Sequence, residues 1–401
     1  MSAFSVVAVV LVLLIASLVA MISRRLKVAY SVGLVAAGIG VAFIPTGMEL
    51  QLTRDLIFNL FLPPLVFEAA LQLNWAPFRR DLPINGTMAF PGVAIAAAVV
   101  AVGMHFAVGW DWLGAWLFGV LIAATDPVSV IAAFKELKVE RRLSGMVESE
   151  SLLNDGAAAV GFTLLTAAAS GASVSPLFMV ASFVWTVCGG VLAGLAVAFA
   201  LLLLAGRSKD HLVEITLTTV AAYGSFLLAE HVHASGVLAS LSAGLLVGNM
   251  GMRRSISESG RGHVVAFWEY IAFLANSFVF ILIGVQEAHT GYKLLSWAAA
   301  TAIALVLLGR VLAVYPICAL FARSTLAVDI RYQHVFVWGG LRGALALALV
   351  LALPENLPQR GEIIAVAFAV VAFSIFVQGL TMPWLIRRLG LLKDDDGAAR
   401  A

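Results

Sequence analysis

Six charged side chains, Glu68, Asp126, Glu150, Asp155, Arg310 and Arg342, fall inside long apolar stretches of this 401-residue chain. A charge at mid-bilayer costs about 2.5–3.5 kcal/mol on insertion scales, so each of these residues needs a partner or a task. Asp126 lies in the run WLFGVLIAATDPVSVIAAF, with Pro127 directly after it. Proline removes its own N–H, pushes away the carbonyl four residues back, that of Ala123, and disfavours α geometry at the preceding residue. The helix is therefore expected to break at Asp126. A carboxylate beside freed carbonyls makes an oxygen-rich pocket of the kind that suits a hard cation. The next apolar stretch, SGMVESESLLNDGAAAVGFTLL, carries Asp155 at a similar depth. Ser151 and Asp155 are four apart, as are Glu150 and Asn154, so each pair shares one strip of a helix. Two acidic residues at one depth on consecutive antiparallel spans form a candidate binding site for a cation or a proton. Glu150 reads as structural, neutralised by an intramembrane arginine, and Glu148 lies nearer the cytoplasmic end.

Glu68 follows Pro63 and Pro64 in FNLFLPPLVFEAAL. It reads equally as a ligand, a gating carboxylate or half of a packing ion pair. Arg342 stands among Gly339, Gly340 and Gly343, which permit close packing or an unwound stretch. Interrupted helices at matching places in two halves of a chain point to an inverted repeat around a central site. His231 and His233 form a pair without a cysteine or carboxylate cluster, which reads as an outer loop and not a metal site. His211, at the head of a span, is a candidate pH-sensing residue.

These residues must be positioned by membrane helices. The chain is 62% hydrophobic and 12% charged, with a mean hydropathy of +1.00. Soluble domains sit near half apolar and a quarter charged, so the excess needs lipid as its solvent. With about 20 apolar residues per crossing, about thirteen spans are expected, near 4–22, 28–45, 52–73, 84–108, 112–134, 144–170, 176–205, 211–231, 235–250, 264–286, 294–321, 332–353 and 362–387. Loops are short, giving one transmembrane domain over 1–392 and a short cytoplasmic tail over 393–401. The first run lacks a basic leader and a cleavage site, so it reads as a retained helix. Cys188 and Cys318 lie in apolar runs, so no disulfide framework is indicated. Lys and Arg fall twenty to three on one side of the spans, which puts the amino terminus outside and the carboxyl terminus in the cytoplasm. The basic residues sit in short interhelical clusters and suggest no nucleic-acid partner. An ion channel is disfavoured, since neither a pore-loop filter nor rings of repeated polar residues occur. An intramembrane aspartyl protease is disfavoured too, because the glycine-x-glycine-aspartate pattern is missing.

FLPPLVFEAAL, ATDPVSV, ESLLNDG, GRVLAVYP and GGLRGA, in this order, resemble the monovalent cation:proton antiporters that include the prokaryotic NhaP proteins and the animal NHE exchangers. The likeness covers nearly the whole chain. It implies an all-α polytopic fold with inverted six-helix repeats and interrupted fifth and twelfth helices. It also implies a homodimer in the cell inner (plasma) membrane, a role in pH homeostasis, and no enzyme activity or cofactor beyond the transported Na⁺ or Li⁺ and H⁺. By motif position, Asp155 is implied as the principal cation and proton carboxylate. Asp126, Ser151 and the Thr125 carbonyl would help coordinate, with Glu68 a further ligand. Asn154 would hold the unwound fifth helix or the site itself, Glu150 would pair with Arg310, and Arg342 would stabilise the interrupted twelfth helix. Ser149 stands where the family usually has glycine. Asn154 in place of a second aspartate favours electroneutral one-for-one exchange. K⁺/H⁺ exchange is the alternative within the family. The chain also lacks the long cytoplasmic tail of the animal exchangers, so tail-based regulation is not expected.

Overall fold

The computed structural model describes residues 6–26, 29–43, 55–126, 128–169, 176–290 and 296–392. Pro127 of the expected break, Lys27, Arg54 and Lys293 of the charge asymmetry, and the 393–401 tail lie outside the described residues. Among those described, the only β feature is an isolated bridge between Val139 and Leu392. Everything regular is helical, as a lipid solvent requires: an isolated helix satisfies its backbone internally, whereas an open strand does not. Among the described residues, seven helices are long and apolar enough to cross a membrane, and shorter apolar helices accompany them.

The first elements are α1 (Val6–Leu26) and α2 (Tyr30–Ala42). A π-helical turn over Leu56–Phe61 then leads into α3 (Leu62–Gln72). Pro63 and Pro64 occupy the first turn of α3, where a missing N–H costs no intrahelical bond. They mark a junction in that span and leave the helix carrying Glu68 regular. Next comes α4 (Trp75–Val108), which begins nine residues before the expected start at 84. Pro77 falls in its opening turn, a position proline tolerates, so the helix extends through Arg79 and Arg80 to that point.

The fifth apolar stretch is split into α5 (Trp112–Leu121) and α6 (Val128–Leu137). The helical pattern stops at Ile122, earlier than the expected break at Asp126. Then follow α7 (Arg141–Ala169), α8 (Pro176–Ala205), α9 (His211–His231), α10 (Gly236–Leu246) and the single turn α11 (Met252–Arg254). A long α12 (Glu258–Thr290) and α13 (Trp297–Leu320) precede the second interrupted segment. That segment is α14 (Ile330–Trp338), a non-helical stretch over 339–343, and α15 (Ala344–Leu351). The last span is α16 (Arg360–Phe373), a π turn over Ser374–Gly379, and α17 (Leu380–Arg388).

Packing brings α13 along α4, α12 along α2, and α10 against α3 and α8. Gly38 and Gly284 let α2 and α12 cross at near backbone contact, since a Cβ on either would meet the partner's main chain. Small residues at such crossings allow dispersion contacts that replace the hydrophobic effect inside lipid. The two non-helical stretches meet at the centre, where the Asp126 N–H donates to the Leu341 carbonyl at 2.7 Å.

Candidate functional site

The break between α5 and α6 frees carbonyls that the helix would otherwise use. Two of them, on Ala123 and Ala124, accept from Arg342 Nη1 at 2.6 and 3.0 Å. Arg342 is 2% exposed, and its own N–H donates to Ser374 Oγ at 3.0 Å. Its guanidinium thus reaches across to the break of the fifth stretch, while its main chain, bonded to Ser374 Oγ, belongs to the unwound part of the twelfth that the resemblance named. The reason is geometric: the unwound 339–343 segment passes directly beside 122–126, so the nearest unsatisfied carbonyls belong to the other helix. Ser374 sits at the start of the π turn, and a wide turn of this kind commonly re-aims one side chain.

From α7, Ser151 Oγ donates to the Thr125 carbonyl at 2.6 Å. Asn154 Nδ2 donates to Thr125 Oγ1 at 3.3 Å and to Glu150 Oε1 at 3.4 Å. Thr125, Ser151 and Asn154 are all buried. Behind them Glu150 pairs with Arg310 of α13 at 2.9 Å, and Arg310 Nη2 donates to the Phe336 carbonyl at 2.8 Å. Arg310, and not Arg342, is therefore the partner of Glu150. Gly340 leaves room for this guanidinium, because a Cβ there would lie 2.8 Å from Arg310 Nε. Gly343 has the same role for Asp126, whose carboxylate occupies the space a Cβ would need.

A cavity of about 290 Å³ opens between these elements and α3. Thr125, Asp126, Ser151, Asp155 and Glu68 all line it. The structure thus brings together the five residues singled out as ligands and keeps Asn154, Glu150, Arg310 and Arg342 in the layer behind them. Asp155 Oδ1 is buried and has no hydrogen-bond partner. Asp126, Glu150 and Arg342 lie within electrostatic range of it. Two carboxylates facing one small cavity repel each other, and a cation or a proton between them relieves that repulsion. Glu68 accepts a hydrogen bond from Gln72, one helical turn further along α3.

Sequence reasoning missed Asn276 of α12 and Gln72 of α3 as lining residues, and Glu148 lines the cavity as well. Asn276 stands as a lone amide in the apolar run FLANSFVF, which was the available signal. Ser149, the departure from the family glycine, accepts from Asn85 Nδ2 at 2.6 Å and lies outside the cavity lining. His231 ends α9 and His233 lies in the turn after it; both are exposed and belong to no group of three or more potential metal ligands among the described residues.

A family model described as sodium/hydrogen exchanger, transmembrane, matches residues 10–388. The chain is 37% identical over 392 residues to the Na⁺/H⁺ antiporter NhaS2 of Synechocystis sp., covering 96% of this chain and 70% of that protein. It is 38% identical over 381 residues to the Na⁺/H⁺ antiporter ApNhaP of Aphanothece halophytica, covering 92% and 71%. It is 32% identical to the Na⁺/H⁺ antiporter NhaP of Pseudomonas aeruginosa, covering 84% and 81%. The fold is shared with the sodium proton antiporter MjNhaP1 from Methanocaldococcus jannaschii, solved at pH 8, with a TM-score of 0.73 at 19% identity, over 95% and 97% of the two chains. A match over nearly the whole length, joined to two interrupted helices crossing beside a carboxylate-lined cavity, places this chain in the sodium/hydrogen exchanger transmembrane family.

Proposed function

We propose that this chain exchanges Na⁺, and also Li⁺, for H⁺ at the Asp155 cavity, where a single carboxylate site holds either a cation or a proton. The observation that carries the reading is the buried, unpartnered Asp155 Oδ1 facing Asp126 across a small cavity. An anionic oxygen with no donor in a low-dielectric site needs a positive charge. Na⁺ coordinates through Asp155, Asp126, the Ser151 hydroxyl, the Thr125 carbonyl and Glu68, all hard oxygen donors. A proton satisfies the same carboxylate by neutralising it. The two loaded forms carry equal charge, and the empty form carries one more negative charge, which is costly to move through lipid. That difference couples the two fluxes and makes the exchange electroneutral, one for one. Alternating access comes from one bundle of helices rocking against the other around the site. The protein works as a homodimer in the plasma membrane, with its amino terminus outside and its tail in the cytoplasm, where the arginine-rich helix ends face.

Proteoliposomes with a trapped pH dye and an imposed proton gradient test this reading. Addition of NaCl or LiCl is expected to dissipate the gradient, choline chloride is not, and Asp155→Ala is expected to abolish the response. Dissipation by KCl alone would replace the cation and keep the site. Exchange that persists in Asp155→Ala would remove this carboxylate from the mechanism.

A further inference from the structure

A second cleft, of about 890 Å³, adjoins the Asp155 cavity, shares Gln72 and Glu148 with it, and lies at the span ends that the charge asymmetry assigns to the cytoplasm. Its walls carry five guanidinium groups, from Arg80, Arg141, Arg142, Arg253 and Arg254, against two carboxylates, Asp81 and Glu148. Asp81 is already committed: it pairs with Arg80 at 2.8 Å and with Arg142 at 3.5 Å. Arg141, Arg253 and Arg254 have no carboxylate partner among the described residues. Arg142 Nε is buried without a hydrogen-bond partner. Arg141 and Arg142 also open the 29-residue helix α7, whose first turn has no acidic residue; Glu140, just before it, accepts from the Tyr332 hydroxyl and lies outside the cleft lining. That end is the positive pole of the helix, where carboxylates are favoured and guanidinium groups are not.

Topology alone calls for basic residues on the cytoplasmic side. It does not call for their convergence on one cleft, nor for a buried unpartnered guanidinium N–H, nor for arginines at a positive helix pole. A cation route also gains nothing from an excess of positive charge at its mouth. We propose that this cleft binds a phosphate-bearing anion, either a free polyphosphate or the headgroup of an anionic phospholipid. Guanidinium forks bind phosphate oxygens in pairs, and the free N–H groups at the start of α7 add donors of the same sign. An anion held there neutralises the mouth and lies on the cytoplasmic approach to Asp155. This goes beyond cation exchange, and its binding readout does not depend on exchange.

The test is calorimetric titration of the purified full chain in detergent at low salt with pyrophosphate, alongside thermal unfolding in nanodiscs of phosphatidylglycerol or phosphatidylcholine. Three variants are compared: R253Q/R254Q and R141Q in the cleft, and R387Q/R388Q on the last helix outside it. Saturable pyrophosphate binding, or a stabilisation specific to phosphatidylglycerol, is expected to weaken at least tenfold, or to disappear, in both cleft variants and to persist in the control. Pyrophosphate binding alone assigns a free anion, and a phosphatidylglycerol effect alone assigns a headgroup. Absence of both in the wild type, or equal losses in control and cleft variants, overturns the proposal.

Discussion

Glu150 and Arg310 hold each other at 2.9 Å with side chains 3% and 7% exposed. Removing one partner from a buried pair costs about 3–5 kcal/mol, because the other is left charged and alone. Arg310→Gln is therefore expected to lower the unfolding temperature of the detergent-purified chain sharply. Glu150→Gln combined with Arg310→Gln should recover much of that loss; a double variant as unstable as the sum of the singles would show that the two side chains act independently. Gly343→Ala addresses the site more directly. Its methyl group must displace the Asp126 carboxylate, so the expected outcome is a folded protein whose apparent KM for Na⁺ rises several-fold in the liposome assay. Unchanged kinetics would mean that Asp126 has room to move without affecting the cation. At this scale much was legible in advance, because a charge inside an apolar run is conspicuous: Asp126, Asp155, Glu68 and Arg310 announce themselves. Asn276 did not, since one amide among leucines and phenylalanines names no partner. Glu287 was missed as well: it is 3% exposed near the end of α12, with neither carboxylate oxygen hydrogen-bonded.

Elements were legible where a residue type dictates backbone geometry, and illegible where tertiary contact does. The break of the fifth stretch follows from Pro127 together with Asp126, although helix geometry ends four residues sooner, at Ile122. The extra unwinding is supported by Arg342, more than two hundred residues away, and no local pattern reports a donor at that distance. The π-helical turns over Leu56–Phe61 and Ser374–Gly379 likewise follow no residue signature. The start of α14 is a local matter again. Asp329 accepts the Arg331 N–H and its guanidinium at the helix N-terminus, and the Arg331 side chain, ahead of the backbone N–H, holds the Asp329 carboxyl below the usual carboxylate range. A carboxyl depressed in the folded state gives stability that is present in full above its unfolded pKa and is lost as pH falls through its folded value. Asp329→Asn should therefore flatten the acid limb of a thermal-stability profile while leaving the helix capped, because Asn is nearly as good a cap. An unchanged acid limb would assign that slope to other carboxylates.

For the whole molecule, the composition demanded lipid and the charge asymmetry suggested an orientation, while the crossing of the two interrupted helices needed coordinates. Membership of the exchanger family makes the proton the natural competitor of the cation. If both occupy Asp155, raising the proton concentration on the side from which Na⁺ is taken should raise the apparent KM for Na⁺ and leave the maximal rate unchanged. Initial rates at several pH values and Na⁺ concentrations check this. A fall in maximal rate at constant KM would mean that the proton binds elsewhere.

The bond from the Asp126 N–H to the Leu341 carbonyl joins main chain to main chain. No exchange of one side chain for another can delete it, except a proline that removes the N–H. What it does not tolerate is a change of length. One residue inserted or removed between Gly339 and Gly343 would slide a different carbonyl opposite Asp126 and turn the Arg342 side chain away from Ala123. That one contact is thus permissive in spelling and strict in spacing: it is vulnerable to frame-preserving insertions and deletions, whereas the side-chain contacts around it are vulnerable to point substitutions.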